Sequence, residues 1–317
     1  MMNKQGIVIH PEELTDQMIE MLKQSKINVL GLHPVGGENA DQTLENLLEL
    51  SKTAEFQDKL SQVRELGIAI EYEMHALSWL IPRTLFADRP VWFRMDKEGK
   101  RVSDYNLCVS NPEAMEYLTD RAEQLARMLP SDTGRYYFWS DDMPDSFCNC
   151  EKCREFSPSD QALMIYHAIL RGIRRVDEKA KHCYLAYKEN LLIPQRIKPE
   201  EGIFVEYAPM WRDTTIPLSD TSCETNRKFY ETIKPLIGCF GGKDAQVLEY
   251  WLDNSLFSDW KKPPKPLSIC TDTIKQDITF YRQCGFEGIT TFGCYLSDDY
   301  IELHGTPPIV EYGECFE

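Results

Sequence analysis

No apolar run in the 317-residue sequence approaches the ~18 residues of a spanning helix, which excludes a transmembrane segment. Basic residues are scarce beside acidic ones, 35 Lys and Arg against 51 Asp and Glu, for a net charge of −16. Such a surface repels nucleic acid and anionic membrane, so the expected partner is a small molecule or oligosaccharide. Assembly with further copies of the chain stays open. The opening Met1-Met2-Asn3-Lys4-Gln5-Gly6 has no basic start followed by a long apolar stretch, so no signal peptide is expected. Eleven cysteines, an odd number in a chain of this size, argue against a disulfide scaffold and for a reducing cytoplasm. Three motifs are also missing. No Gly-x-Gly-x-x-Gly follows the first apolar run, and Gly241-Gly242-Lys243 lacks the upstream pattern of a phosphate loop. No Gly-x-Ser-x-Gly nucleophile elbow occurs either.

What the chain does have is an ordinary globular composition, 42% hydrophobic, and a repeated alternation of short β-branched runs with helical stretches. Strands are expected at Gly6–His10, Asn28–His33, Ile68–His75, Arg135–Ser140, His182–Tyr187, Ile203–Tyr207, Ala245–Trp251 and Gly288–Tyr295. Helices are expected over Pro11–Gln24, Asp41–Leu66, Pro112–Leu129, Ser159–Lys179, Cys223–Ile237 and Thr271–Cys284, with none between the fifth and sixth strands. Parallel strands need crossovers, and eight such units fit a (β/α)8 TIM barrel forming a single domain over residues 1–317. A 56-residue excursion, Ala76 to Ser131, separates strands three and four, with a hairpin expected near Met95–Arg101. It is a candidate lid or partner surface.

Active sites of such barrels lie at the C-terminal ends of the strands. Acids, histidines and aromatics recur there: His10, His33, Glu73, His75, Trp139, Asp141, Asp142, Tyr187, Glu206, Tyr207, Trp211, Arg212, Glu249, Tyr250 and Trp251. Carboxyl groups beside rings suit glycoside hydrolysis, in which one acid protonates the leaving oxygen and a second group stabilises an oxocarbenium-like centre. Asp142 is the expected general acid, Asp141 positions substrate or acid, and Glu249 is the second carboxylate, followed by Glu206. His75, Glu73, Trp139, Tyr187, Tyr207, Trp211, Arg212, Tyr250 and Trp251 are candidates for holding the sugar, Arg212 favouring a uronate. Alternatives are a carbohydrate-binding barrel without catalytic power and a metal-dependent hydrolase using His10, His33 and His75. No cofactor is expected for the glycosidase reading. The sharpest local spacing is Cys148-x-Cys150-x-x-Cys153, three thiolates of a structural zinc knuckle. Its fourth ligand is left among Asp145, His75 and His167.

The runs Phe93-Arg94-Met95-Asp96, Tyr137-Phe138-Trp139-Ser140-Asp141-Asp142, Cys148-x-Cys150-x-x-Cys153, Ser159-Asp160-Gln161-Ala162-Leu163, Leu185-Ala186-Tyr187 and Glu206-Tyr207-Ala208-Pro209 resemble a bacterial domain-of-unknown-function family of glycosidase-like TIM barrels. That family is placed near the β-N-acetylhexosaminidases of glycoside hydrolase family 20 and the α-glucuronidases. The resemblance spans about residues 65 to 255. It implies a hexosaminide or uronide-type substrate, with Asp141 orienting an acetamido group and Asp142 standing where the hexosaminidases carry a glutamic acid.

Overall fold

The computed structural model describes residues 3–317. Eight strands, β1 (Lys4–Ile9), β2 (Val29–Leu32), β3 (Ala69–His75), β4 (Arg135–Trp139), β5 (Lys181–Ala186), β6 (Ile203–Tyr207), β7 (Gln246–Glu249) and β8 (Gly288–Phe292), close into a barrel in sequence order. The strand pairs are parallel, and β1 meets β8 with Lys4 opposite Gly288 and Val8 opposite Phe292. This is the TIM barrel fold. The helices are α1 (Asp16–Gln24), α2 (Ala40–Leu50), α3 (Ala54–Glu65), α4 (Leu77–Leu80), α5 (Pro112–Met128), α6 (Pro158–Ile173), α7 (Glu224–Phe240), α8 (Asn254–Phe257), α9 (Thr271–Cys284), α10 (Asp298–His304) and α11 (Ile309–Glu314). None of them is long and apolar enough to cross a membrane.

The helix expected over Asp41–Leu66 is two helices, because Thr53 caps the second by accepting from the Phe56 amide at 3.3 Å. Pro11–Gln24 likewise divides: Pro11–Glu13 is a 3-10 turn, and Thr15 caps α1. The Met95–Arg101 hairpin closes with a single antiparallel bridge. No helix forms between β5 and β6 beyond a 3-10 turn at Lys188–Leu191.

Packing falls into two compact units. One comprises the chain up to His33, Ser51–Glu71 and Val205–Glu317; the other comprises Pro34–Leu50 and Tyr72–Phe204. In the first, Lys4 of β1 donates to Glu71 and, at 2.7 Å, to Gln246 Oε1, and Gln246 donates to Glu206 Oε1 at 2.6 Å. These side chains are buried. Buried charge is retained at tolerable energy only when paired in this way.

In the second unit α5 and α6 pack closely because Gly172 has no side chain: a Cβ there would stand 2.1 Å from the Thr119 carbonyl oxygen. The Ser159–Leu163 run has a physical reading. Ser157 and Asp160 form a capping box at the start of α6, and Asp160 Oδ1 also accepts the backbone N–H groups of Gln195, Arg196 and Ile197 at 2.8–2.9 Å. These bonds hold the Asp160 carboxyl below the usual aspartate range despite its desolvation. Asp160→Ala strands those amides and removes the cap. It is expected to lower unfolding free energy by about 3–5 kcal/mol, read as a fall in urea midpoint with an unchanged slope.

Candidate active site

In the second unit, residues at the ends of β3, β4 and β5 line a shallow open hollow of about 20 Å3, among them His75, Asp141, Asp142, Tyr187, Lys188 and Glu189. β3 sends Glu73 and His75 to the same face, two residues apart. His75 is fixed by its Nδ1 against the Ser140 carbonyl at 2.6 Å and by an edge contact with the buried Trp139 ring, 5.1 Å between centroids. Gly36 makes room for it; a Cβ there would lie 2.8 Å from the imidazole Cδ2. Glu73 is fully buried.

Asp141 and Asp142 have different surroundings. Asp141 Oδ2 accepts from the Arg83 guanidinium and, at 2.6 Å, from the Asn106 amide, while Oδ1 accepts from the Ser78 amide at 3.1 Å. Asn106 Oδ1 in turn accepts from the Asp141 amide at 3.1 Å. With its side chain only 4% exposed, Asp141 is an anchor. The expected role of orienting a substrate group does not fit, because both oxygens are already engaged. Asp142, 28% exposed, accepts from the Lys188 ammonium at 2.6 Å. Lys188 lies 4.8 Å above the Tyr187 ring and has a left-handed backbone, φ 49°, an uncommon conformation for a residue with a side chain. Beside it, burial pushes the Glu189 carboxyl above the ordinary glutamate range, and the Asp145 backbone N–H opposes this only in part. Glu189 Oε1 is buried with no hydrogen-bond partner among the described residues.

The first unit places the remaining expected residues otherwise. Gln246 faces Lys4 and Glu206, so Glu249, three residues on, faces the opposite side, toward α9. There it accepts from Arg212 Nε at 2.9 Å and from the Tyr281 hydroxyl, and the Arg212 Nη2 donates to Asp277 at 2.5 Å. All these side chains are essentially inaccessible. Burial works against the Arg212 charge, but Glu249 and Asp277 outweigh it and hold its pKa above the usual arginine value. Glu249 is therefore not the second catalytic carboxylate expected, nor is Arg212 a uronate ligand; each satisfies the other between strand and helix.

Tyr207 follows the inward Glu206 and so points outward, packed on Tyr281 and Phe286. Glu206 itself is committed to Gln246 low in the barrel. Trp251 is buried against Tyr312, with the Arg212 guanidinium 5.9 Å from its ring. Tyr250 is buried on Phe292. Trp211 alone of these is open: 57% exposed, with its ring 5.9 Å from that of Trp260, itself 54% exposed. Both tryptophans have positive φ, 73° and 54°.

His10 Nδ1 contacts the His33 carbonyl at 2.8 Å, and the two rings stack at 5.9 Å. Beneath them the buried Glu13 accepts from the backbone amides of His10 and Tyr295, and burial pushes its carboxyl up to about 7. Among the described residues the one group of three or more His, Cys, Asp or Glu side chains arranged to hold an ion is Cys108, Cys148, Cys150 and Cys153. The fourth cysteine was not legible in the spacing. Of the ligands considered, Asp145 is exposed on Lys97, His75 faces Ser140 and His167 faces Glu200. Lys188 and Glu189 stand at the end of the fifth strand, where the sequence places them on the rim without a role; Arg83 and Asn106, from the long excursion, were missed.

A family model described as "Domain of unknown function (DUF4838)" matches residues 50–300. The chain belongs to that family. Several solved structures share the fold of this DUF4838 chain. The beta-galactosidase from Rahnella sp. R3 is 14% identical with a TM-score of 0.55, over 98% of this chain and 55% of that one. The Thermobaculum terrenum O-GlcNAc hydrolase mutant D120N is 13% identical with a TM-score of 0.56, over 98% and 58%. Endo-glycoceramidase II from Rhodococcus sp. is 12% identical with a TM-score of 0.53, over 92% and 73%. The DUF4838 chain thus spans little more than half the length of the first two. No curated protein matches it.

Two measurements check these placements. Arg212→Leu leaves two buried carboxylates without their partner and is expected to destabilise the fold by about 3–5 kcal/mol in denaturant titrations. For Glu13 the unfolded carboxyl titrates near 4.5 and the folded one near 7, so the folded state holds the extra proton between these values. Stability is expected to fall by up to about 3 kcal/mol as pH rises through that window, and Glu13→Gln to flatten the slope.

Proposed function

We propose that this chain is the barrel of a glycoside hydrolase whose working groups are Asp142 and Glu189. The observation that carries the reading is the pairing, in one hollow, of two carboxyl groups with unlike surroundings. Asp142 accepts from the Lys188 ammonium, the contact a charged carboxylate makes. Glu189 is pushed by burial toward its protonated form. Divergent environments of this kind separate an acid from a charged partner. The roles expected from the order of the residues are therefore revised: Glu189 supplies the proton, and Asp142 supplies the negative charge facing the anomeric carbon.

In this scheme the bond between the anomeric carbon and the leaving oxygen breaks as the Glu189 proton passes to that oxygen. Asp142 stabilises the positive charge developing on the sugar ring. Water then delivers hydroxide to the anomeric carbon and returns a proton to Glu189. His75, whose Nδ1–H donates to the Ser140 carbonyl, offers Nε2 as the candidate acceptor from a sugar hydroxyl, and Tyr187 is a ring for the sugar to stack on. Trp211 with Trp260 forms a separate exposed aromatic surface of the kind that sugar faces cover. The fold shared with a beta-galactosidase, an O-GlcNAc hydrolase and a glycoceramidase supports a carbohydrate substrate. With Arg212 buried, the uronate preference it suggested loses its support.

The test is a screen of chromogenic galactosides, N-acetylhexosaminides and glucuronides, followed by variants on whichever substrate is cleaved. Asp142→Asn and Glu189→Gln are each expected to lower kcat by about 10^2–10^4-fold with little change in KM. Because the Glu189 pKa is raised, the proton-dependent rate should fall as pH climbs through that pKa, and Glu189→Gln should lose this alkaline limb. Full turnover in both variants would exclude the pair. Calorimetric binding of a sugar without product on prolonged incubation would assign the hollow to carbohydrate binding alone.

A further inference from the structure

We infer that Cys108, Cys148, Cys150 and Cys153 form a tetrathiolate zinc site that buckles the long excursion between β3 and β4 onto the loop that follows β4. The four Sγ atoms lie within 4.8 Å of one another, and Cys108 stands 3.7 Å from both Cys150 and Cys153. Zn–S bonds of about 2.3 Å arranged tetrahedrally put their sulfurs about 3.8 Å apart, close to the spacing of Cys108 from Cys150 and Cys153. A disulfide needs its sulfurs at about 2.05 Å, and all eleven cysteines are free. All four ligands are buried, which suits a closed site with no open coordination position for water.

The surroundings fit the charge of the complex. Zn2+ with four thiolates is doubly negative, and the sulfurs need donors around them. The Met95 amide reaches Cys148 Sγ at 3.3 Å, the Arg101 guanidinium reaches the same sulfur at 3.7 Å, and Ser110 Oγ lies 3.1 Å from Cys153 Sγ. Gln161 of α6 keeps the loop in shape, its Oε1 accepting from the Cys148 amide and its Nε2 donating to the Cys148 and Cys153 carbonyls at 3.1–3.2 Å. Each thiol releases its proton as the metal binds.

The buckle reaches the carboxylate ridge through two residues of chain. Asn106, two positions before Cys108, is fully buried with a left-handed backbone, φ 50°. It donates its amide to Asp141, accepts from the Asp141 amide, and donates its side chain to Ser146 Oγ at 2.7 Å. Ser146 lies two residues before Cys148, so both strands of the clasp emerge beside the same asparagine. Zinc thus fixes the segment that holds Asp141, the residue before Asp142. Asp141 and Asn106 are positioning residues in this scheme.

The zinc site stands apart from the proposed hydrolysis, and so does its test. Full chain produced in zinc-replete medium is expected to carry one zinc per chain by mass spectrometry, with Cys108, Cys148, Cys150 and Cys153 shielded from a thiol reagent until the metal is chelated. Cobalt replacing the zinc should give thiolate-to-metal charge transfer and tetrahedral d–d bands. Cys108→Ser and Cys150→Ser should each lose metal by at least about tenfold, while Cys108→His, which supplies an alternative zinc ligand, retains it. If the serine variants do not fold, chelation of the wild-type protein serves: hydrogen exchange should accelerate across residues 104–110 and 146–153. Protein without metal and with the four cluster thiols reactive, iron in place of zinc, unchanged metal in Cys108→Ser, or unchanged exchange on chelation would each overturn the assignment.

Discussion

The pleat of a β-strand sends consecutive side chains to opposite faces, and what this barrel can present depends on that alternation. On β7 it turns Gln246 to the Lys4–Glu71–Glu206 network and Glu249 to Arg212 and α9. On β6 it separates Glu206 from Tyr207. On β3 it keeps Glu71, Glu73 and His75 on one side. A row of polar residues at strand ends is thereby divided into those a ligand can reach and those that hold sheet and helices together.

The second group is heavily charged. Arg212 bridges Glu249 and Asp277 with almost no exposure, and Lys4 bridges Glu71 and Gln246. Neither arrangement is a substitute for apolar packing in energy; each is a set of groups that must be present together, because removing one leaves another desolvated and unpaired. That mutual dependence accounts for acidic residues at strand ends that are buried and paired, and it locates some of the excess acid away from solvent.

The excursion between β3 and β4, a candidate lid or partner surface, also supplies partners for Asp141 at the edge of the hollow. Arg83 and Asn106 come from it and occupy both Asp141 oxygens together with Ser78. A carboxylate so enclosed frees its neighbour, Asp142, to meet Lys188 at the surface of the hollow. Cys108 belongs to the same segment, so the cysteine cluster, Asn106 and Asp141 follow one another along this part of the chain.

The sequence by itself determined the eight strands, the Cys148-x-Cys150-x-x-Cys153 spacing and the acidic strand ends, because these are local signals: hydrophobic period, turn residues and short spacings. β6 and α9 fall where the pattern puts them. A 26-residue amphipathic stretch read as one helix because the break depends on one threonine cap, a single hydrogen bond within an otherwise continuous pattern. Which rim residues face a ligand was decided by tertiary structure alone. The direction of Glu249 rests on partners at 212, 277 and 281, the commitment of Asp141 on residues 78, 83 and 106, and the completion of the cysteine set on position 108. Each lies too far along the chain for any local period to report. Contacts of that range exist only once the barrel has closed, and they separate the catalytic candidates from the supports.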